Sequence, residues 1–117
     1  RDKDIEEYKA QITELTDISQ GLVYYSMTIQ NQNISQIGKQ GIRQLLASFK
    51  VIDEKYSERL ENYDLNPSQS LFCILYHIGK SDEEVMQILQ YSLSNIRVRK
   101  SRIKSDTGAE SFDDIIR

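Results

Sequence analysis

Five basic side chains, Arg97, Arg99, Lys100, Arg102 and Lys104, fall in one run with no acid between them. No other stretch of the chain has residue types and spacing so suited to a ligand. A guanidinium donates two parallel hydrogen bonds to the edge of a guanine, and an ammonium meets a phosphate as a point charge. With Ile96 and Ile103 taken as the inward positions of a helix, Ser94, Asn95, Arg97, Val98 and Ser101 face outward near its entering end. Arg97 then suits a guanine edge and Val98 a thymine methyl. Lys100, Arg102 and Lys104, with Lys80 and the backbone amides near Ser81, suit phosphate. Arg99 is open between phosphate contact and packing. The same residues also fit a plainer reading, in which two amphipathic helices of a bundle carry a solvated basic face.

The elements that would position this run are short. Ser81 and Glu84 form the S-x-x-E pattern of a capping box. Val85, Ile88 and Leu89 follow as one apolar stripe at helical spacing. Gln90 and Tyr91 interrupt it, and Ser92 can cap a second helix over about 92–105. A capped helix, a tight turn and a basic second helix read together as a DNA-binding helix-turn-helix.

From Leu65 onward the chain resembles, without a gap, the LuxR/GerE-type helix-turn-helix, and its wording is similar to the C-terminal regions of Bacteroidetes regulators. Leu65, Leu75, Gly79, Ser81, Glu84, Leu89, Ser92, Ile103 and Gly108 stand where that family has the same residues, and Val85 and Ile96 replace its Ile and Val. The resemblance implies a four-helix DNA-binding domain, base contacts at Arg97, Val98 and Ser101, and paired half-sites bound by a homodimer. The chain departs from the pattern at three places. Ser68-Gln69 stand for an Arg-Glu pair, Arg99 for a recognition-helix His, and Asp106-Thr107 for a basic-Leu pair. The last change removes one core contact and one phosphate contact.

With 117 residues, 38% hydrophobic and 28% charged, one Pro and no Trp, the chain is one domain's worth of polar helical sequence. Its net charge of −3 fails a simple basic-protein test, but the distribution is uneven. Residues 1–64 hold 8 basic and 11 acidic side chains, and residues 65–117 hold 7 of each. A phosphate-binding face needs local density rather than net charge. The single Cys73 excludes an internal disulfide and a Cys-based zinc site, and within LFCILY it reads as a buried small hydrophobe. The only histidine, His77, has no convergent Cys or second His, so no metal site and no cofactor are expected. No apolar run is long enough to span a bilayer, and no signal peptide is evident, so a cytoplasmic protein without membrane contact is expected. The first residue is Arg rather than Met, which reads as an excised or trimmed fragment.

Ahead of the motif, Ile5, Tyr8, Ile12, Leu15, Ser19 and Leu22 keep an a/d heptad rhythm, which suits either a coiled coil or a helix packed on its own domain. Leu22 to Ile29 has strand-like composition but no second strand pattern to pair with, so helix is expected there too. Ile34 to Leu60 reads as a second long helix, with Gly38 and Gly41 diluting its start for close helix contact. Asn66-Pro67 opens the first helix of the motif, Gly79 closes it, and Ser111 caps a terminal FDDIIR helix whose Phe112, Ile115 and Ile116 close the core. Adjacent acids such as Glu83-Glu84 and Asp113-Asp114 point apart on a helix and read as solvated charge. No phosphate loop, HExxH or nucleophile elbow is present, so an enzyme is not expected.

These readings give an all-α fold. Long N-terminal helices over residues 1–63 form an oligomerisation segment, and residues 64–117 form the DNA-binding domain. The expected function is sequence-specific binding of double-stranded DNA in transcription regulation. The alternative is a helical interaction module that has lost DNA binding.

Overall fold

A computed structural model describes all of residues 1–117 as seven α-helices with no strand. They are α1 (Asp2–Ile29), α2 (Gly38–Ile52), α3 (Glu54–Glu61), α4 (Pro67–His77), α5 (Asp82–Leu89), α6 (Leu93–Thr107) and α7 (Phe112–Ile116). The all-helical class read from the sequence is what is found, including the strand-like Leu22 to Ile29, which completes α1.

Gly21, inside α1, is where α2 crosses it. A Cβ at Gly21 would stand 2.0 Å from the Gln44 carbonyl oxygen, so no larger residue fits without moving α2. The close helix contact therefore lies here and not at Gly41, whose absent side chain faces Ile37 of its own preceding turn. Asp17 fixes the crossing by accepting from Arg43 Nη1 and Gln44 Nε2, both at 3.0 Å.

The second long helix is broken at Asp53, which the apolar spacing did not disclose. Asp53 leaves helical geometry (φ −142°, ψ 78°) and its Oδ1 accepts the Tyr56 amide at 3.1 Å, so it ends α2 and caps α3. At the break Ile52, the last residue of α2, lies on the surface. The break gathers four helices at one junction. The Tyr56 and His77 rings stack at 3.5 Å, and the Tyr56 hydroxyl donates to the Ile115 carbonyl at 2.8 Å. His77 stands between two acceptors, the Ile116 carbonyl (Nδ1, 2.6 Å) and Asp53 Oδ2 (Nε2, 3.1 Å). A neutral imidazole can donate to only one of them, whereas the imidazolium donates to both. Arg59 donates to the Asp114 and Arg117 carbonyls and closes the end of α7.

Sixteen buried apolar residues form one cluster that runs from Ile34 to Ile115. The division expected at residues 63–64 thus falls inside a shared core, built from Leu45 and Phe49 of α2, Leu71 to Leu75 of α4, Val85 and Ile88 of α5, Ile96 and Ile103 of α6, and Ile115. Phe112 and Ile116 pack at its edge. No helix is long and apolar enough to cross a membrane.

The Asp53 carboxyl is held below the usual range, first by the Tyr56 amide and then by His77. Its folded value is depressed, so it contributes stability at neutral pH that is lost as pH falls from about 3.9 through the folded value. Asp53→Ala should cost about 1 kcal/mol in urea unfolding at pH 7, the typical loss for a helix cap. Asp53→Asn should keep most of the cap and flatten the acid limb of the stability curve. An Asp53→Ala protein with an unchanged midpoint would remove the junction from this account.

Candidate nucleic-acid interface

Two helices joined by a three-residue turn build the surface. Ser81 Oγ accepts the Glu84 amide and Glu84 Oε1 accepts the Ser81 amide, so α5 starts with a complete capping box. Gln90 takes a left-handed conformation (φ 60°, ψ 39°) that ends α5, and Ser92 Oγ accepts the Asn95 amide at 3.1 Å to start α6. These caps set where each helix begins and therefore which residues of α6 face out.

Helix α6 buries only Ile96 and Ile103. Opposite them, Ser94, Val98, Ser101 and Ser105 follow one another at steps of three and four and form an exposed ridge of small side chains. Arg97 and Lys104 lie along one flank of that ridge and Arg102 along the other, all exposed. None of these three cations takes part in the chain's five ion pairs. Ser105 was not among the residues singled out from the sequence, although its position four after Ser101 marks it.

The other expected contacts divide differently. Lys100 turns inward: its Nζ donates to Asp82 Oδ1 at 2.9 Å and lies 4.5 Å from the centre of the Tyr76 ring. The Tyr76 hydroxyl donates to the same oxygen at 2.7 Å. That hydroxyl, then Lys100, holds the Asp82 carboxyl below its ordinary range. Burial, reinforced by Asp82, pushes the Tyr76 hydroxyl up. Lys80 is likewise engaged, with Nζ on the Ile29 carbonyl (3.1 Å) and Asn31 Oδ1 (2.8 Å), where a cation meets the carbonyl end of α1. The amides of Ser81 and Glu84 are taken up by their own box, which leaves them no donor for phosphate. Glu84 is more than solvated charge, since its Oε2 also accepts from Asn31 Nδ2 at 2.9 Å.

Arg99 has an intermediate place. Its Nε donates to Asn95 Oδ1 at 2.6 Å and its guanidinium lies 4.1 Å over the Tyr91 ring, an arrangement that holds both side chains against the turn. The Asn95 amide nitrogen has no partner within the chain. At the far end of α6, Asp106 accepts from Gln69 Nε2 at 3.1 Å, which draws its charge toward α4. The Thr107 hydroxyl turns back to the Ile103 carbonyl at 2.8 Å.

Elsewhere the side chains offer little reactive chemistry. Cys73 is fully buried, and burial pushes its thiol up to about 12, so no thiolate forms near neutral pH. No three His, Cys, Asp or Glu side chains converge to hold a metal ion. Set against family models, curated proteins and solved structures, the chain matches none.

The two kinds of lysine on α6 should behave oppositely in unfolding experiments. Lys100→Ala should lower stability by about 1 kcal/mol, since it breaks a half-buried ion pair and a cation–π contact. Lys104→Ala should stay within about 0.5 kcal/mol of the parent. Equal losses in urea titrations would show that Lys100 is no more engaged than Lys104.

Proposed function

We propose that this chain is the DNA-binding part of a transcription regulator, with α6 lying in the major groove and α5 crossing the backbone. The observation that carries the reading is the outer face of α6, where a ridge of small side chains is flanked on both sides by cations without internal partners. A narrow ridge lets a helix approach base edges closely, and flanking cations reach the phosphates of either strand. The resemblance of residues from Leu65 onward to LuxR/GerE-type regulators supports the same assignment, with α4 to α7 as the four helices of that domain and α6 as the recognition helix of about 92–105. Arg97, Val98 and Ser101, with Ser94 and Asn95, form the reading set. Arg102 and Lys104 form the phosphate set. Lys80, Lys100 and Arg99 act indirectly, by holding α1, α6 and the turn in place. In this reading the protein is a cytoplasmic non-enzyme that needs no cofactor, and its partner is double-stranded DNA.

A second reading, an interaction module without DNA binding, is favoured by the internal pairing of Lys80 and Lys100. It predicts no affinity for duplexes even at low salt. The DNA reading predicts binding to random duplex with a salt slope of about −2 to −3 per chain, from three free cations at about 0.9 each.

On a site selected from random duplexes, Arg97→Ala should weaken binding by about 1–3 kcal/mol and flatten discrimination at one base pair. Lys104→Ala should weaken all sequences alike and reduce the salt slope by about one. Equal losses on selected and random DNA for both variants would remove Arg97 from the reading set. An intact, folded chain with no binding at low salt would leave the interaction module standing.

A further inference from the structure

Helix α1 has two faces that do different things. Asp17, Gly21 and Thr28 lie on the face packed against α2 and the core. The opposite face carries Ile5, Tyr8, Ile12, Leu15 and Leu22, between 44% and 64% exposed. Every residue from 1 to 16 is exposed, although Ala10, Thr13 and Glu14 line a groove against α2. A helix gains little stability from propensity alone in water, and this one presents an apolar stripe that its own chain does not cover.

We propose that α1 pairs in parallel and in register with α1 of a second copy of this chain. Three features select that occupant. The first is the residue type at each seam position. Ile5 and Ile12 fall at heptad position a and Tyr8, Leu15 and Leu22 at position d, and β-branched residues at a with Leu at d favour two parallel strands. The second is charge. Asp4 at position g and Lys9 at the following position e meet across a parallel seam, and two-fold symmetry makes that pair twice. An antiparallel overlap centred on Ile5 to Leu15 would instead set Lys9 against Lys9 of the other copy. The third is the polar layer at Ser19, position a, which the exposed apolar Val23 at position e follows on the same seam. Because α2 and the core lie behind α1, each body sits away from the seam and need not move. The pairing is independent of whether the chain binds DNA.

Sedimentation equilibrium of the full chain up to high micromolar concentration tests it. A monomer–dimer equilibrium is expected, and Ile12→Lys should weaken it by about a hundredfold or more, since it removes one apolar layer and opposes two cations. Ile12 is exposed, so the helical content and melting of the monomer should not change. Asp4→Lys and Lys9→Glu should each weaken self-association several-fold, and an equimolar mixture of the two should recover it, because the mixed dimer restores both pairs. Ser19→Cys should cross-link under mild oxidation, since identical a positions face each other only in a parallel seam and Cys73 is buried. A strict monomer, or a dimer indifferent to Ile12→Lys, would overturn the pairing. A dimer that Ser19→Cys does not cross-link, or that the charge mixture does not restore, would overturn its parallel register.

Discussion

Helix α6 is held to the body by a seam only two residues wide. Ile96 and Ile103 are its only buried side chains, and they stand seven positions apart. Burying two such side chains contributes roughly 1.5–3 kcal/mol each, too little by itself to fix the rotation of a 15-residue helix. The Lys100–Asp82–Tyr76 contact supplies the missing constraint, because it anchors the side of α6 between those two residues to α4 and α5. One consequence is that the most basic helix of the chain uses Lys100 internally, as it does Arg99 at the turn. Another is that everything away from the seam is left to solvent, and that remainder is the proposed reading face.

A second set of ties joins α1 to the same region. Lys80 caps the end of α1, Asn31 bonds Glu84, and the Ile34 amide donates to the Ile88 carbonyl at 2.9 Å, so the end of α1 and the segment that follows it meet both ends of α5. Asn31 accepts a left-handed backbone (φ 57°) to reach there. The direction of the exposed arm is thereby fixed relative to the helix-turn-helix pair. If α1 pairs as proposed, the relative placement of two α6 helices follows from these contacts, and spacing between half-sites becomes a property of the fold.

Much of the fold was legible because the signals were local. The Ser81–Glu84 box, the Asn66-Pro67 start, the Gly79 stop at φ +93° and the Ser92 and Ser111 caps all depend on residues within one turn. What was not legible depends on partners far along the chain. The break at Asp53 has a local cap in the Tyr56 amide, but the apolar spacing runs through it, and the tie that places it at the junction comes from His77, 24 residues on. Gly21 looks like a weak point of α1 until Gln44 crosses it. The site shows the same limit. Periodicity marked the outward face of α6 correctly for Ser94, Arg97, Val98 and Ser101, but it cannot say which cations are already paired. Lys80 and Lys100 read as surface charge because Ile29 and Asp82 are distant from them in sequence.

The central claim is that DNA meets the outer face of α6. It is tested most directly by following the backbone and side-chain NMR signals of the isotope-labelled chain while a short duplex is titrated in at low salt. The account predicts changes concentrated at Ser94, Asn95, Arg97, Val98, Ser101, Arg102, Lys104 and Ser105, with the ammonium signals of Lys80 and Lys100 unmoved. Spectra that do not change, or changes centred on any other face of the molecule, would contradict it.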